Sequence, residues 1–241
     1  MLEKTKAIVL TSVKYGEADL IVKCLTQLGI RSYMLRGIFR SRSRTIKAAY
    51  FQPLSLLELT ASHNNKGNLN SIREVRAAYV YQDLGTNVFK QSIALFLSEI
   101  LAGSMREEEE NRDLFAYLET AFIWLDSHRE IANFHLLFLL RLTRYLGFYP
   151  DYKNLGYPYF DLKEGSFTAS RPLGIYLEGE KLVLFKSLIG IKFDDMPSLK
   201  WNSEKRQQVL DVLLDYYQWH IPGFKKPKSL RVLKEVFNEI S

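Results

Sequence analysis

Cysteine occurs once in the 241 residues, at Cys24. A single thiol excludes an intrachain disulfide and any cysteine-built zinc site. It fits a reducing cytoplasm, and among aliphatic neighbours it reads as a small buried hydrophobe. Long apolar runs are also missing. The first twenty residues hold one short run, residues 7–10, before charges resume. That is too short for the apolar region of a secretory leader, and no stretch approaches the roughly 18 apolar residues of a membrane span. The expectation is a soluble cytoplasmic protein that does not enter a membrane. Histidine is scarce: His63, His128, His135 and His220 are the four, and no pair has metal-ligand spacing. His135 sits in an apolar helical stretch and reads as a core residue. Phosphate-cradling glycine loops and nucleophile elbows do not occur. The acidic run 107–110 reads as a solvated interhelical loop, because four consecutive side chains point in different directions and hard cations need converging oxygens. No metal, no cofactor and no enzyme activity is expected.

What the chain does have is an uneven distribution of charge. The formal net charge is +6, but residues 1–80 carry +8 and the remainder −2. Between Asp19 and Glu58 there is no carboxylate and there are seven basic residues. Four of them, Arg36, Arg40, Arg42 and Arg44, fall within nine positions of the stretch MLRGIFRSRSRTIKAAYFQPL, residues 34–54. Such a stripe raises the local potential and attracts polyanions.

The composition, 47% hydrophobic and 25% charged, is that of a folded chain with a sizeable core. The first 80 residues read as five short strands: KAIVLTSV, DLIVKCLTQ, IRSYMLRGIF, LSLLELTASH and LNSIREVRAAYVY. Turn signals separate them, with HNNKGN as a hairpin loop. Five strands in so short a span point to a small closed barrel, with Gly37 marking a bulge or bend. From about residue 83 the apolar period becomes helical. A buried helix around residues 133–147 ends at Gly147 with Pro150 beyond. Residues 150–200 are irregular, with a small hairpin expected around Gly179, and two helices close the chain. The fold class is α+β: an OB-fold barrel over residues 1–81, then a helical domain over 82–241 with an irregular insertion at about 150–200.

Lys and Arg neutralise phosphates and release counterions, while exposed aromatics offer stacking faces. Small five-stranded barrels bind single strands across strands 2 and 3 and the flanking loops. Those strands carry Lys23, Arg31, Tyr33 and Arg36 here, and the following loop carries Arg40, Arg42, Arg44 and Lys47. By strand alternation Arg31, Tyr33 and Phe39 share one face, with Arg36 on the other. Tyr50 and Phe51 precede an apolar strand and read as core. These residues leave open whether the polyanion is DNA, RNA or an acidic protein partner.

The order of segments narrows the choice. AIVL, then YGEADLIVKCLT, RGIFRSRSR, FQPLSLLEL and SIREV, followed by LFLSEILAGSMREEEENRDLF, LLRLTRYLGFYPD, YFDLKEGSF and HIPGFKKPKSLRVLKEV, resembles the RecO family of bacterial recombination and repair mediators along nearly the whole chain. The resemblance implies an amino-terminal OB-fold barrel and a carboxy-terminal helical domain. It implies binding of single- and double-stranded DNA, annealing of complementary strands, and a cytoplasmic, nucleoid-associated site of action. It implies the partner RecR, contact with the acidic tail of the single-strand-binding protein, and indirect help in loading RecA. DNA contact carries over to the basic residues of the RGIFRSRSR segment. A receptor for an acidic, apolar-ended tail needs a groove with a cation at its rim. Arg141 and Arg144 are candidates, as are Lys225, Lys226, Lys228 and Arg231. Many family members also carry a four-cysteine zinc motif after the stretch matching LGFYP. Residues 151–175 contain no cysteine, and Tyr152, Tyr157, Tyr159 and Phe160 are expected to pack that region instead.

Overall fold

A computed structural model describes residues 2–40, 46–63, 69–105 and 110–238. The chain divides into two compact units, Met1–Ser127 and His128–Ser241.

The first unit is organised by one long strand. β1 (Leu2–Tyr15) pairs through its first half with β4 (Leu56–Ser62) and through its second half with β2 (Asp19–Thr26). A register shift between Val9 and Thr11 lets one strand serve both partners, because the extra residue bends and twists it. β3 (Gly29–Leu35) follows β2 and β5 (Ser71–Ala77) follows β4, giving the order β3-β2-β1-β4-β5. Asn70 then joins the two edges. Its N–H donates to the Ser32 carbonyl at 2.9 Å, and its carbonyl accepts from the Met34 N–H at 2.8 Å, in a parallel bridge. The bridge at Asn70 brings the two edge strands together, so the sheet curls into a five-stranded barrel with the OB-fold order.

Alternate residues fill the barrel: Val9, Val22, Cys24, Tyr33, Leu57 and Leu59 all point inward. Burial pushes the Cys24 thiol up, so it stays protonated and apolar. A short 3₁₀ turn, Ala48–Phe51, seals the barrel by inserting Phe51, while Tyr50 packs half-buried beside it. α1 (Val88–Ser104), capped by the Asn87 side chain, packs against β1, and α2 (Arg112–Ser127) completes the unit. The connection into α1 is tied to the end of α2. Asp126 accepts the backbone N–H of Gln82, Asp83 and Leu84, and Lys90 reaches from α1 to Asp83 and to the Asp126 carbonyl.

The second unit is built on α3 (Phe134–Tyr145), apolar on nearly every face and buried along most of its length. It ends where Gly147 adopts a φ of +85° and the Phe148 N–H reaches back to the Thr143 carbonyl. A three-stranded sheet follows: β6 (Tyr159–Asp161), β7 (Ser166–Thr168) and β8 (Tyr176–Leu177). The hairpin turns at Gly165, not at Gly179 as the sequence pattern suggested. Gly179 instead opens a helix, α4 (Gly179–Leu188). That helix is short, and its buried residues Leu182, Leu184, Phe185 and Leu188 form no clean stripe, which is why its period does not stand out. Gly165 has a φ of +64°, and a Cβ there would lie 2.6 Å from the Tyr216 hydroxyl. α5 (Ser203–His220) and α6 (Leu230–Asn238) close the unit.

Phe160 holds this sheet to the helices. It is fully buried, with its ring centroid 4.8 Å from both Phe167 and Phe185 and 5.9 Å from Tyr216. Tyr159 meets Tyr176 edge to face, whereas Tyr152 and Tyr157 remain exposed. Phe160 and Tyr159 thus pack this region as expected, and Tyr152, though exposed, meets Tyr149 edge to face with ring centroids 6.5 Å apart.

Candidate nucleic-acid interface

The basic residues of the first unit separate by their place on the barrel. β3 ends at Leu35, and the chain turns at Gly37, whose φ of +63° is in the left-handed region that glycine adopts without strain. The Gly37 N–H donates to the Asp19 carboxylate at 2.6 Å, so the turn is fastened to the start of β2. Ile38 then drops into the core, and Phe39 and Arg40 are left outside. The Phe39 N–H donates to the Ala18 carbonyl at 3.1 Å and the Arg40 N–H to the Gly37 carbonyl at 3.1 Å. These bonds bring the β1–β2 hairpin and the segment after β3 to the same end of the barrel. Arg36 and Arg40 are exposed there, and the Lys14 ammonium stands 5.7 Å from the centre of the Phe39 ring.

Strand register orders the rest. Val13 pairs with Ile21, which pairs with Met34, so these three share the outer face. The next row is Thr11, Lys23 and Ser32, which places the Lys23 side chain on that same outer face. Arg31 lies at the other end of β3, five positions from Arg36, or roughly 16 Å at the rise of a strand. It is half-buried and donates to its neighbour's carbonyl, that of Ile30. Lys47 is exposed at the start of the 3₁₀ turn. Arg42 and Arg44 lie outside the described residues.

One contact candidate and one expectation from alternation do not hold. Tyr33 is fully buried inside the barrel, and its hydroxyl meets His63 Nε2 at 3.0 Å, with His63 Nδ1 2.9 Å from Glu3. It presents no face to a base, so it leaves the set of contact candidates. Phe39 does not continue the Tyr33 face, because the strand stops before Gly37 and alternation stops with it. Lys14 and Phe39 are the residues that reading by strand underweighted. Their signals were present: Lys14 immediately precedes the Tyr15-Gly16 turn, and Phe39 stands between Arg36 and Arg40.

In the second unit the expected tail-binding cations are mostly engaged. Arg141 donates to the Ile191 carbonyl at 2.7 Å and lies over the Phe193 ring, and Arg144 lies over Tyr149. Lys226 pairs with Asp215 at 2.7 Å, and Arg231 with Glu235 one helical turn on. Lys225 and Lys228 are exposed.

The first unit is a five-stranded OB barrel with exposed cations and an aromatic ring at one end, and barrels of this class bind oligonucleotides and oligosaccharides. Residues 1–81 match the family described as Recombination protein O N terminal, and residues 85–231 that described as Recombination protein O C terminal. The protein named DNA repair protein RecO of Flavobacterium johnsoniae is 49% identical over 236 residues, covering 98% of this chain and 99% of its own. Those of Christiangramia forsetii and Bacteroides fragilis are 46% and 38% identical over 98% and 99% of this chain and the whole of theirs. The chain belongs to the RecO family of DNA repair proteins.

The four-cysteine zinc motif that the resemblance raised has no counterpart in these residues. The corresponding segment has no thiol, and among the described residues no three His, Cys, Asp or Glu side chains converge. No helix of the described residues is long and apolar enough to cross a membrane.

Proposed function

We propose that this protein binds single- and double-stranded DNA through the basic end of its barrel and anneals complementary strands. With RecR it helps load RecA onto DNA coated by the single-strand-binding protein, acting in the cytoplasm at the nucleoid. The observation that carries the DNA reading is the gathering of Lys14, Arg36 and Arg40 at one barrel end, with Lys23 on the adjoining outer face. Arg42, Arg44 and Lys47 add to the same charge in sequence. Contact with an acidic tail draws on Arg144, Lys225, Lys226, Lys228 and Arg231, all exposed at the surface of the second unit. Each phosphate neutralised on a single strand contributes about −0.7 to the slope of log affinity against log salt, so six contacts give about −4.

Annealing of complementary strands coated with their cognate single-strand-binding protein tests the reading. Annealing is expected with the intact coating protein and is reduced when its acidic tail is removed. Failure to anneal bare strands overturns the proposal. Replacing Lys23, Arg36 and Arg40 by alanine is expected to lower the salt slope by about 2. An unchanged slope removes those residues from the interface.

A further inference from the structure

The charge at the barrel end accounts for attraction to phosphate but not for a distinction between a single strand and a duplex. We propose that Phe39 is the base-stacking residue of this site, so that unpaired bases are held by a ring while Lys14, Arg36 and Arg40 hold the flanking phosphates. This rests on the DNA-binding reading above and deepens it.

Three features of the chain support the assignment. Phe39 is 47% exposed, although burying such a side chain is worth about 1.5–3 kcal/mol. Its outward position is built in: Ile38 is anchored in the core at 7% exposure, and the backbone bonds from Gly37 to Asp19 and from Phe39 to Ala18 fix the turn on both sides. The ring already holds a cation, Lys14, 5.7 Å from its centroid. A ring beside a cation matches a nucleotide, whose base is a π-face and whose neighbouring phosphate is an anion. In a duplex the bases are stacked on each other and unavailable, so the ring adds affinity for single strands only. The exposed Val13 and Tyr15 offer less, because the pairing of Val13 with Ile21 and of Tyr15 with Asp19 puts them on the face opposite to Lys14.

The test compares the full chain and its Phe39→Ala variant on a labelled oligothymidylate of about 15 nucleotides, near the upper site size of one OB fold. An abasic strand of the same length carries the same phosphates without bases. The expected result is a loss of about 5- to 150-fold on oligothymidylate, no loss on the abasic strand, and an unchanged salt slope. Equal affinity of parent and variant for oligothymidylate, or an equal loss on both strands, overturns the inference. Phe39→Trp guards against a folding defect in the alanine variant. It is expected to retain affinity, and its added emission is quenched by oligothymidylate but not by the abasic strand. No added quenching overturns the assignment. If the parent binds neither strand, the DNA-binding reading itself fails. If it binds both and Phe39 is neutral, only the stacking role falls.

Discussion

Asp126 is placed where a carboxylate is least expected, in the last turn of α2, where the negative end of the helix dipole opposes it. Its hydrogen bonds explain why it is there. One oxygen accepts the N–H of Asp83 at 2.9 Å and of Leu84 at 2.8 Å. The other accepts the N–H of Gln82 at 2.9 Å and the Tyr79 hydroxyl at 3.3 Å. Asp126→Ala leaves these donors without a partner. Leu84 is buried, so its orphaned N–H costs about 1–3 kcal/mol, while the more exposed Gln82 and Asp83 lose about 0.5–1.5 kcal/mol each as water replaces the carboxylate. The expected destabilisation of the first unit is about 3 kcal/mol. Asp126→Asn keeps one acceptor oxygen and turns an amide toward the other donors, so about half that loss is expected. Trp124 is the only tryptophan of residues 1–127. In a Trp201→Phe, Trp219→Phe background its emission therefore reports urea unfolding of the first unit alone. Burial by itself would raise the Asp126 carboxyl, but the backbone N–H groups of Gln82, Leu84 and Asp83 outweigh it and hold it below the ordinary range. A lowered folded value means the stabilisation is complete above the ordinary carboxylate range and is lost as pH falls through the folded value. The gap between parent and Asp126→Asn should thus narrow below about pH 4. An alanine variant within about 0.5 kcal/mol of the parent would refute the reasoning, since that is the scatter of ordinary surface changes.

The second unit offers a pH test of the opposite kind. Burial, with the Arg206 guanidinium adding to it, pushes His135 down to about 3. It stays neutral when folded and takes up a proton on unfolding, so its share of stability is full above about pH 6.5 and falls as pH drops toward 3. Lys234 is the other cation of its cleft. Between pH 7 and pH 5 this loss is about 2 kcal/mol, and His135→Leu is expected to abolish it in urea melts followed by Trp201 and Trp219 in a Trp124→Phe background. An undiminished pH 7 to 5 difference in that variant would exclude the assignment. Phe160→Ala empties the centre of the aromatic cluster and should destabilise the same unit by about 3–5 kcal/mol; a change below 1 kcal/mol would show that the cluster collapses freely. Gly37→Ala forces a side chain into a φ of +63° and should lower the stability of the first unit by about 1–2 kcal/mol, read from Trp124 as above.

The local features of the chain were legible because they depend on neighbours a few residues apart. Alternation placed five strands, the change to a helical period marked the second half, and the family resemblance ran through both. The absence of thiols in residues 151–175 already excluded the cysteine zinc site. The segment from Arg36 to Arg44 announced its charge without ambiguity. What alternation could not see is where a strand stops. Tyr33 and Phe39 are six residues apart and would share a face in an unbroken strand, yet one fills the barrel and the other stands in water. The left-handed turn at Gly37 and the bond to Asp19, 18 positions away, decide that.

The same division holds for the charges. Sequence alone determined how many cations the first 80 residues carry and that no carboxylate interrupts them between Asp19 and Glu58. Tertiary structure decided which of them stand together. Strand rise separates Arg31 from Arg36, and hairpin pairing brings Lys14 to Phe39. In the second unit, carboxylates and carbonyls distant in sequence engage Lys226 and Arg141. Charge is a property of residues, but an interface is a property of their distances, and those are fixed only when the bridge at Asn70 brings the edge strands of the barrel together.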